Sequence, residues 1–162
     1  MFENLIIPSS IKNQTYIPRK KVGEGRTGAI YLSYNLDDMD QKHPLAIRFP
    51  TICSSSKQRS DLIKHQANLL QQLTSPYTPQ YIDHSEHPVC PYLVLEYIPE
   101  TITQHIEKNT LTQQLFIQYL RQIPLILEFL QQQNKVHGDL KCGNIGNKEN
   151  NLKMLDLENM HE

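Results

Sequence analysis

Apolar and polar positions alternate at the start of the chain and then recur at helical spacing. Between residues 20 and 34, Val22, Ile30, Leu32 and Tyr34 surround Gly23, Gly25 and Gly28, which predicts two short strands joined by a glycine-rich turn. Polar turn chemistry at Asn35-Leu36-Asp37-Asp38 leads into Pro44-Leu45-Ala46-Ile47-Arg48-Phe49, a third strand stopped by Pro50. Ser54-Ser55-Ser56 offers helix caps. Leu62, Ile63, Leu69, Leu70 and Leu73 follow at three- and four-residue steps, predicting a helix over residues 56–73 that Pro76 and Pro79 end. Tyr81-Ile82 and the nearly continuous apolar run Tyr92-Leu93-Val94-Leu95-Glu96-Tyr97-Ile98 read as two more strands, the second buried. Leu115, Phe116, Tyr119, Leu120, Ile123, Ile126, Leu127 and Leu130 form the broad stripe of a core-facing helix over residues 110–133, which Pro124 is expected to kink. Strands around 144–146 and 152–155, separated by a turn-rich stretch, complete an α+β pattern: three strands, a helix, two strands, a long helix and a hairpin.

A length of 162 residues fits one domain. Sixteen basic and seventeen acidic side chains leave a formal charge of -1, so no whole-molecule field draws the chain to nucleic acid or anionic lipid. Cys53, Cys90 and Cys142 are odd in number and far apart, which suits reduced thiols and neither a disulfide framework nor a paired-cysteine metal site. The amino terminus lacks the pattern of a secretory signal and no apolar run approaches the ~18–20 residues of a membrane span, so the expectation is a soluble, cytoplasmic protein without a membrane span. Export by a machine that reads other signals stays open.

Two constellations then carry chemistry. Gly23-Glu24-Gly25-Arg26-Thr27-Gly28-Ala29-Ile30 is a G-x-G-x-x-G pattern, in which bare backbone lets amides approach phosphate oxygens. Dinucleotide-binding units share that pattern, but there a helix follows the glycines, whereas Ile30 onward reads as strand. The second, His137-Gly138-Asp139-Leu140-Lys141-Cys142-Gly143-Asn144, directly follows the long amphipathic helix. With it the chain resembles the protein-kinase superfamily, whose catalytic loop has the form H-R-D-L-x-x-x-N. The glycine at 138 is similar to the H-G-D form of the RIO-type, lipopolysaccharide-kinase and aminoglycoside- or choline-kinase branches.

The resemblance implies a kinase-like fold: an N-terminal extension over 1–19, a five-stranded antiparallel sheet with one helix over 20–98, and a minimal helical lobe over 99–162. It implies ATP with Mg2+ or Mn2+ as cofactors. Asp139 would accept or orient the proton of the attacking hydroxyl, Lys141 would lie near the transferred phosphoryl, and Asn144 would hold a metal. Asp156, twelve residues past Asn144 in Lys153-Met154-Leu155-Asp156-Leu157-Glu158, would be the second metal ligand, with Glu158 an additional candidate. Gly23, Gly25, Arg26, Gly28, Ile30, Ala46 and Arg48 would contact nucleotide, as would Leu95 at the gatekeeper position and backbone groups near Glu96 and Ile98.

The pattern also departs from the family. Arg48 stands where the strand lysine belongs, and Gln66 where its helical glutamate partner belongs, leaving a neutral amide to accept a hydrogen bond from Arg48. The chain given stops six residues beyond Asp156, before the activation segment and the later helices of the family. That leaves apolar residues of the long helix uncovered, which points to a partner, a second copy, or a further piece of a longer chain. Three functions remain open. One is a serine/threonine protein kinase, resembling the small kinase-like effectors that some bacteria deliver into the host cytosol, with a host protein as substrate or partner. The second is a pseudokinase that binds nucleotide and a partner. The third is a small-molecule kinase acting on a sugar or antibiotic.

Overall fold

Ser55 opens the first helix of the chain by a reciprocal cap: its hydroxyl accepts the backbone N–H of Gln58, and the Gln58 side chain accepts the N–H of Ser55. This architecture comes from a computed structural model that describes residues 2–9, 14–25, 27–38, 40–51 and 55–161. Arg26 and Cys53 therefore lie outside the described residues. Two compact units are present, Met1–Gln72 with Gln80–Tyr97, and Leu73–Pro79 with Ile98–Glu162.

In the first unit the strands are β1 (Ile7–Pro8), β2 (Thr15–Glu24), β3 (Gly28–Asn35), β4 (Leu45–Pro50), β5 (Tyr81–Ser85) and β6 (Tyr92–Glu96), with α1 (Ser56–Gln72) between β4 and β5. They form an antiparallel sheet in the order β1-β2-β3-β4-β6-β5. The five strands expected from alternation are present, and the two-residue β1 adds a sixth at the edge, too short to leave a periodic signal. Pro18 sits in β2 beyond the reach of β1, beside a register shift between Pro18 and Lys20, so its missing donor breaks no ladder bond with that edge.

One face of this sheet carries a core of Ile7, Tyr16, Tyr31, Ile47, Phe49, Tyr92 and Val94. Tyr31 and Phe49 meet edge to face with ring centroids 5.7 Å apart. The sheet curls, because polar groups tie its two edges together. Asp83, fully buried in β5, accepts hydrogen bonds from Ser9 Oγ just past β1 and from Tyr16 Oη (3.1 Å) in β2. Tyr92 Oη in β6 donates to the Pro8 carbonyl at 2.8 Å. Burial beside the Asp83 carboxylate pushes the Tyr16 phenol up from its ordinary range, so the hydroxyl stays a donor.

α1 turns Ile63, Gln66, Ala67 and Leu70 inward at helical spacing. Gln66 is only 2% exposed, and neither its amide nitrogen nor its carbonyl oxygen has a hydrogen-bond partner.

The second unit holds β7 (Glu100–Thr101), α2 (Ile102–Glu107), α3 (Gln113–Gln132), β8 (Ile145–Lys148) and β9 (Asn151–Met154), with 3-10 turns at Cys142–Asn144 and Leu157–Asn159. β7, β8 and β9 form a small antiparallel sheet. The long helix runs unbroken through Pro124, which lies on its exposed side, and Thr112 caps it by accepting the N–H of Leu115. α2 was not anticipated, being six residues long, although Thr101 and Gln104 form a reciprocal capping box at its start. Gln122 on α3 clamps the β8–β9 hairpin: its carbonyl accepts the Leu152 N–H (2.9 Å) and its amide donates to the Asn150 carbonyl (2.8 Å). Among the described residues no helix is long and apolar enough to cross a membrane.

Two stability outcomes follow from these burials. Asp83→Ala strands the hydroxyls of Ser9 and Tyr16 and should lower unfolding free energy by about 2–4 kcal/mol, measured by urea denaturation; a loss under about 0.5 kcal/mol would show that the seam is not holding the sheet. Gln66→Met removes an unpartnered buried amide at similar volume and should raise stability by about 1–2 kcal/mol in the same assay, whereas a loss would mean the amide has a partner in solution.

Candidate functional site

Strand register gathers the nucleotide-contact candidates of the first unit. Gly23 pairs with Ile30, Ile30 with Arg48, and Ala46 with Leu95. Directly opposed residues share a face of a sheet, and Ala46 and Arg48 are two apart on β4. Gly23, Ile30, Ala46, Arg48 and Leu95 thus line one face, and Tyr31, Ile47, Phe49 and Val94 line the other.

The glycines differ in what requires them. A Cβ on Gly28 would stand 2.5 Å from the Phe49 carbonyl oxygen and 3.3 Å from Arg48 Nε, so close packing of β4 demands glycine there. At Gly23 and Gly25 the nearest atoms would be 3.9 and 4.0 Å away. Their own surroundings would admit a side chain, and the bare backbone they leave fits the approach of a phosphate oxygen. The Gly25 N–H donates to the Gly28 carbonyl at 2.8 Å, closing the turn.

Arg48 does not meet Gln66 as the sequence suggested: both polar atoms of the Gln66 side chain lack partners, and Arg48 Nη2 donates to Thr27 Oγ1 at 2.7 Å. The strand cation is thereby tied to the glycine turn itself. Glu96 accepts the Gln80 N–H through its carboxylate (3.0 Å) and donates its own N–H to the Gln80 carbonyl (2.9 Å). In the second unit Ile98 packs on β8 so tightly that a Cβ on Gly146 would lie 2.4 Å from its Cγ2.

The loop after α3 brings Asp139, Lys141 and Asn144 together. Lys141 Nζ donates to Asp139 Oδ2 at 2.6 Å, and Asn144 Nδ2 donates to the same oxygen at 3.0 Å and to the Asp139 carbonyl at 2.9 Å. The Lys141 hydrogen bond, with help from Asn144, holds the Asp139 carboxyl below the usual aspartate range, so it is ionised at neutral pH. Because Asn144 spends its amide nitrogen on Asp139, its side-chain oxygen, the atom that could ligate a cation, is left without a partner among the described residues.

His137, 2% exposed, fastens this loop to the hairpin. Its Nε2–H donates to the Leu155 carbonyl at 3.0 Å, which leaves Nδ1 to accept the Asp139 N–H at 3.4 Å. The Leu155 N–H donates to the Asn144 carbonyl at 2.8 Å. Asp156 follows directly, in the left-handed region at φ 59° and ψ 66°. Gly138 is forced to be glycine: its φ is +77° and a Cβ would sit 2.5 Å from the Asn159 carbonyl oxygen. The chain beyond Asp156 runs back over the loop there, and Val136 and His161 form a β-bridge. Glu158 is half-buried in the turn between them.

Among the described residues no group of three or more His, Cys, Asp or Glu is arranged to hold a metal. A divalent cation would depend on Asn144 and Asp156, with further oxygens brought by a ligand, and two such oxygen donors fit Mg2+ bound to a polyphosphate. Thr27, His137 and Leu155 stand inside the quoted motifs but carry no role in the sequence reading, since the bonds they make, to backbone or across strands, are not recorded by motif spacing. A recess of about 830 Å³ opens beside the start of α3, lined by Gln113, Gln114, Ile117, Gln118 and Arg121 among others, and contains none of the candidate site residues.

The chain is 25% identical to the ovarian-specific serine/threonine-protein kinase Lok of Drosophila melanogaster, over 96% of its own length and 34% of that protein. It is also 25% identical to human mitogen-activated protein kinase kinase kinase 4, over 77% of its length and 8% of that protein. To a mitogen-activated protein kinase kinase kinase 3 of Arabidopsis thaliana it is 29% identical over 81% of its length and 22% of that protein. The chain thus spans no more than about a third of these relatives. A family profile described as the protein kinase domain matches residues 16–159, and the chain belongs to that family.

Proposed function

We propose that the chain is an ATP- and magnesium-dependent phosphotransferase that phosphorylates serine or threonine hydroxyls of a protein. The observation that carries this reading is the Asp139 carboxylate, kept ionised by Lys141 and Asn144 bonded to a single oxygen, with Oδ1 left to accept a hydrogen bond from an incoming hydroxyl. Asp139 would orient that hydroxyl and take up its proton as the new O–P bond forms to the γ-phosphorus of ATP and the bond from that phosphorus to the β–γ bridging oxygen breaks, with ADP as the leaving group. Lys141 balances the charge that develops beside it. Asn144 and Asp156 are the metal-holding pair, and bound ATP supplies the γ-phosphoryl group. A protein hydroxyl is favoured because a relative in the comparison is named as a serine/threonine-protein kinase.

Within the family we assign the chain to the minimal, atypical members with an H-G-D loop, because Gly138 is demanded by the Asn159 backbone and could not be replaced by the usual arginine without moving it. This reading places it in a cytosol, including that of a host if it is delivered there as an effector.

A second reading has its own support. With Gln66 unpartnered and Arg48 held by Thr27, the ion pair that positions phosphates in the family is absent, which suits a pseudokinase that binds nucleotide and docks a partner. Radiolabelled ATP with magnesium separates the two: phosphate incorporation into a protein substrate should fall by roughly 10²–10⁴-fold in Asp139→Ala, while the thermal shift given by nucleotide persists. Equal incorporation in both proteins would refute phosphotransfer at this loop.

The charge state of the site gives an independent check. A depressed carboxyl stays ionised until pH falls through its lowered value, so removing the cation should move titration to higher pH. By carboxyl NMR, Asp139 in Lys141→Ala should titrate closer to the ordinary aspartate range than in the wild type; an unchanged midpoint would mean Lys141 is not what holds the carboxylate.

A further inference from the structure

Of the residues gathered on one face of the sheet, Gly23, Ile30, Ala46, Arg48 and Leu95, Arg48 is the cation. An arginine side chain has several rotatable bonds, so gripping a phosphate with it costs side-chain entropy unless its guanidinium is already oriented. In the family an acid on the helix supplies that orientation. The equivalent position on α1 holds Gln66, and neither polar atom of its amide has a partner. Gln66 therefore does not orient Arg48.

Thr27 is placed to do so. Its Oγ1 accepts a hydrogen bond from Arg48 Nη2 at 2.7 Å, while its carbonyl accepts the N–H of Thr51, the residue just past β4, at 3.0 Å. The hydroxyl that holds the guanidinium thus belongs to a residue whose own backbone is fastened to the strand end. Gly28 lies against the same side chain, since a Cβ there would stand 3.3 Å from Arg48 Nε. The guanidinium accordingly runs along the glycine turn, with one of its five donors given to Thr27. A hydroxyl carries no charge, so it orients the cation without neutralising it, as a carboxylate would.

We infer that Thr27 is a positioning residue for the nucleotide phosphates. Through its bond to Arg48 it takes over the orienting role of the missing acid on α1, and it couples the phosphate grip to the glycine turn in place of that helix. This rests on the reading that the chain binds ATP at the glycine turn, and it holds whether or not phosphate is then transferred.

Isothermal titration calorimetry of the 162-residue chain with ATP and magnesium, and separately with adenosine, tests it. Thr27→Val keeps the branched shape and removes the hydroxyl. It should weaken ATP binding by roughly 3–10-fold and leave adenosine affinity within about twofold, since adenosine has no phosphate for Arg48 to hold. Thr27→Ser, which returns the hydroxyl, should restore ATP affinity to within about twofold of the wild type. Arg48→Met should weaken ATP binding by roughly tenfold or more, and adding Thr27→Val to it should change the affinity by less than about twofold, because Thr27 acts through Arg48. Unchanged ATP affinity in Thr27→Val would overturn this inference alone. So would an equal loss for adenosine, or a Thr27→Val loss that persists undiminished beside Arg48→Met. A wild type that takes up no ATP would overturn the nucleotide-binding reading, and this inference with it.

Discussion

Leu155 is held from both sides: its N–H is given to the Asn144 carbonyl, and its own carbonyl receives the His137 imidazole. Those two bonds fasten the loop carrying Asp139 to the hairpin carrying Asp156, and the chemistry proposed for this unit depends on them. Neither loop nor hairpin could hold a carboxylate in place alone, since a lone two-stranded hairpin is at best marginal in water. The hairpin is in turn clamped to α3 by the two amide bonds of Gln122, and it reaches the 73–79 segment through the Met154 N–H, which donates to the Tyr77 carbonyl at 2.7 Å. A chain of hydrogen bonds, several of them from side chain to main chain, thus runs from the long helix to the loop that carries Asp139.

The sheet of the first unit achieves rigidity differently. It ties its two edges through buried polar groups, with Asp83 as the common acceptor. Such a seam is costly to bury unless every member is satisfied, and here the backbone N–H of His84 also donates to Asp83, at 2.8 Å. The fixed sheet then presents Gly23, Ile30, Ala46, Arg48 and Leu95 on one face, and Arg48 reaches Thr27 in the glycine turn.

Much of this was legible in the order of residues, and the failures have physical causes. The loop after α3 was readable as a motif because Asp139, Lys141 and Asn144 are close in sequence, and the structure brings them together on one carboxylate. The long strands and helices were readable from period, and their observed limits differ from expectation by a few residues. Asp83 was not, because its partners lie 67 and 74 residues away and nothing local marks a polar residue in a strand as a seam. The proposed Arg48–Gln66 bond failed for the same reason, since alignment to a family template supplies residue identities but not the rotamer that chose Thr27. α2 and β1 are too short for any periodic signal, although the Thr101–Gln104 cap was a local cue. Gly138 was visible as a departure from the usual arginine, but only its closeness to Asn159 explains it.

The proposed phosphotransfer requires Asp139, Asn144 and Asp156 to form one metal-dependent centre. Paramagnetic broadening of amide NMR signals by Mn2+ with ATP measures this most directly. Signals of residues 139–146 and 155–158 should broaden at low metal occupancy, and Asp156→Asn should abolish the effect. Unchanged line widths in both segments, or broadening that survives Asp156→Asn, would contradict the account.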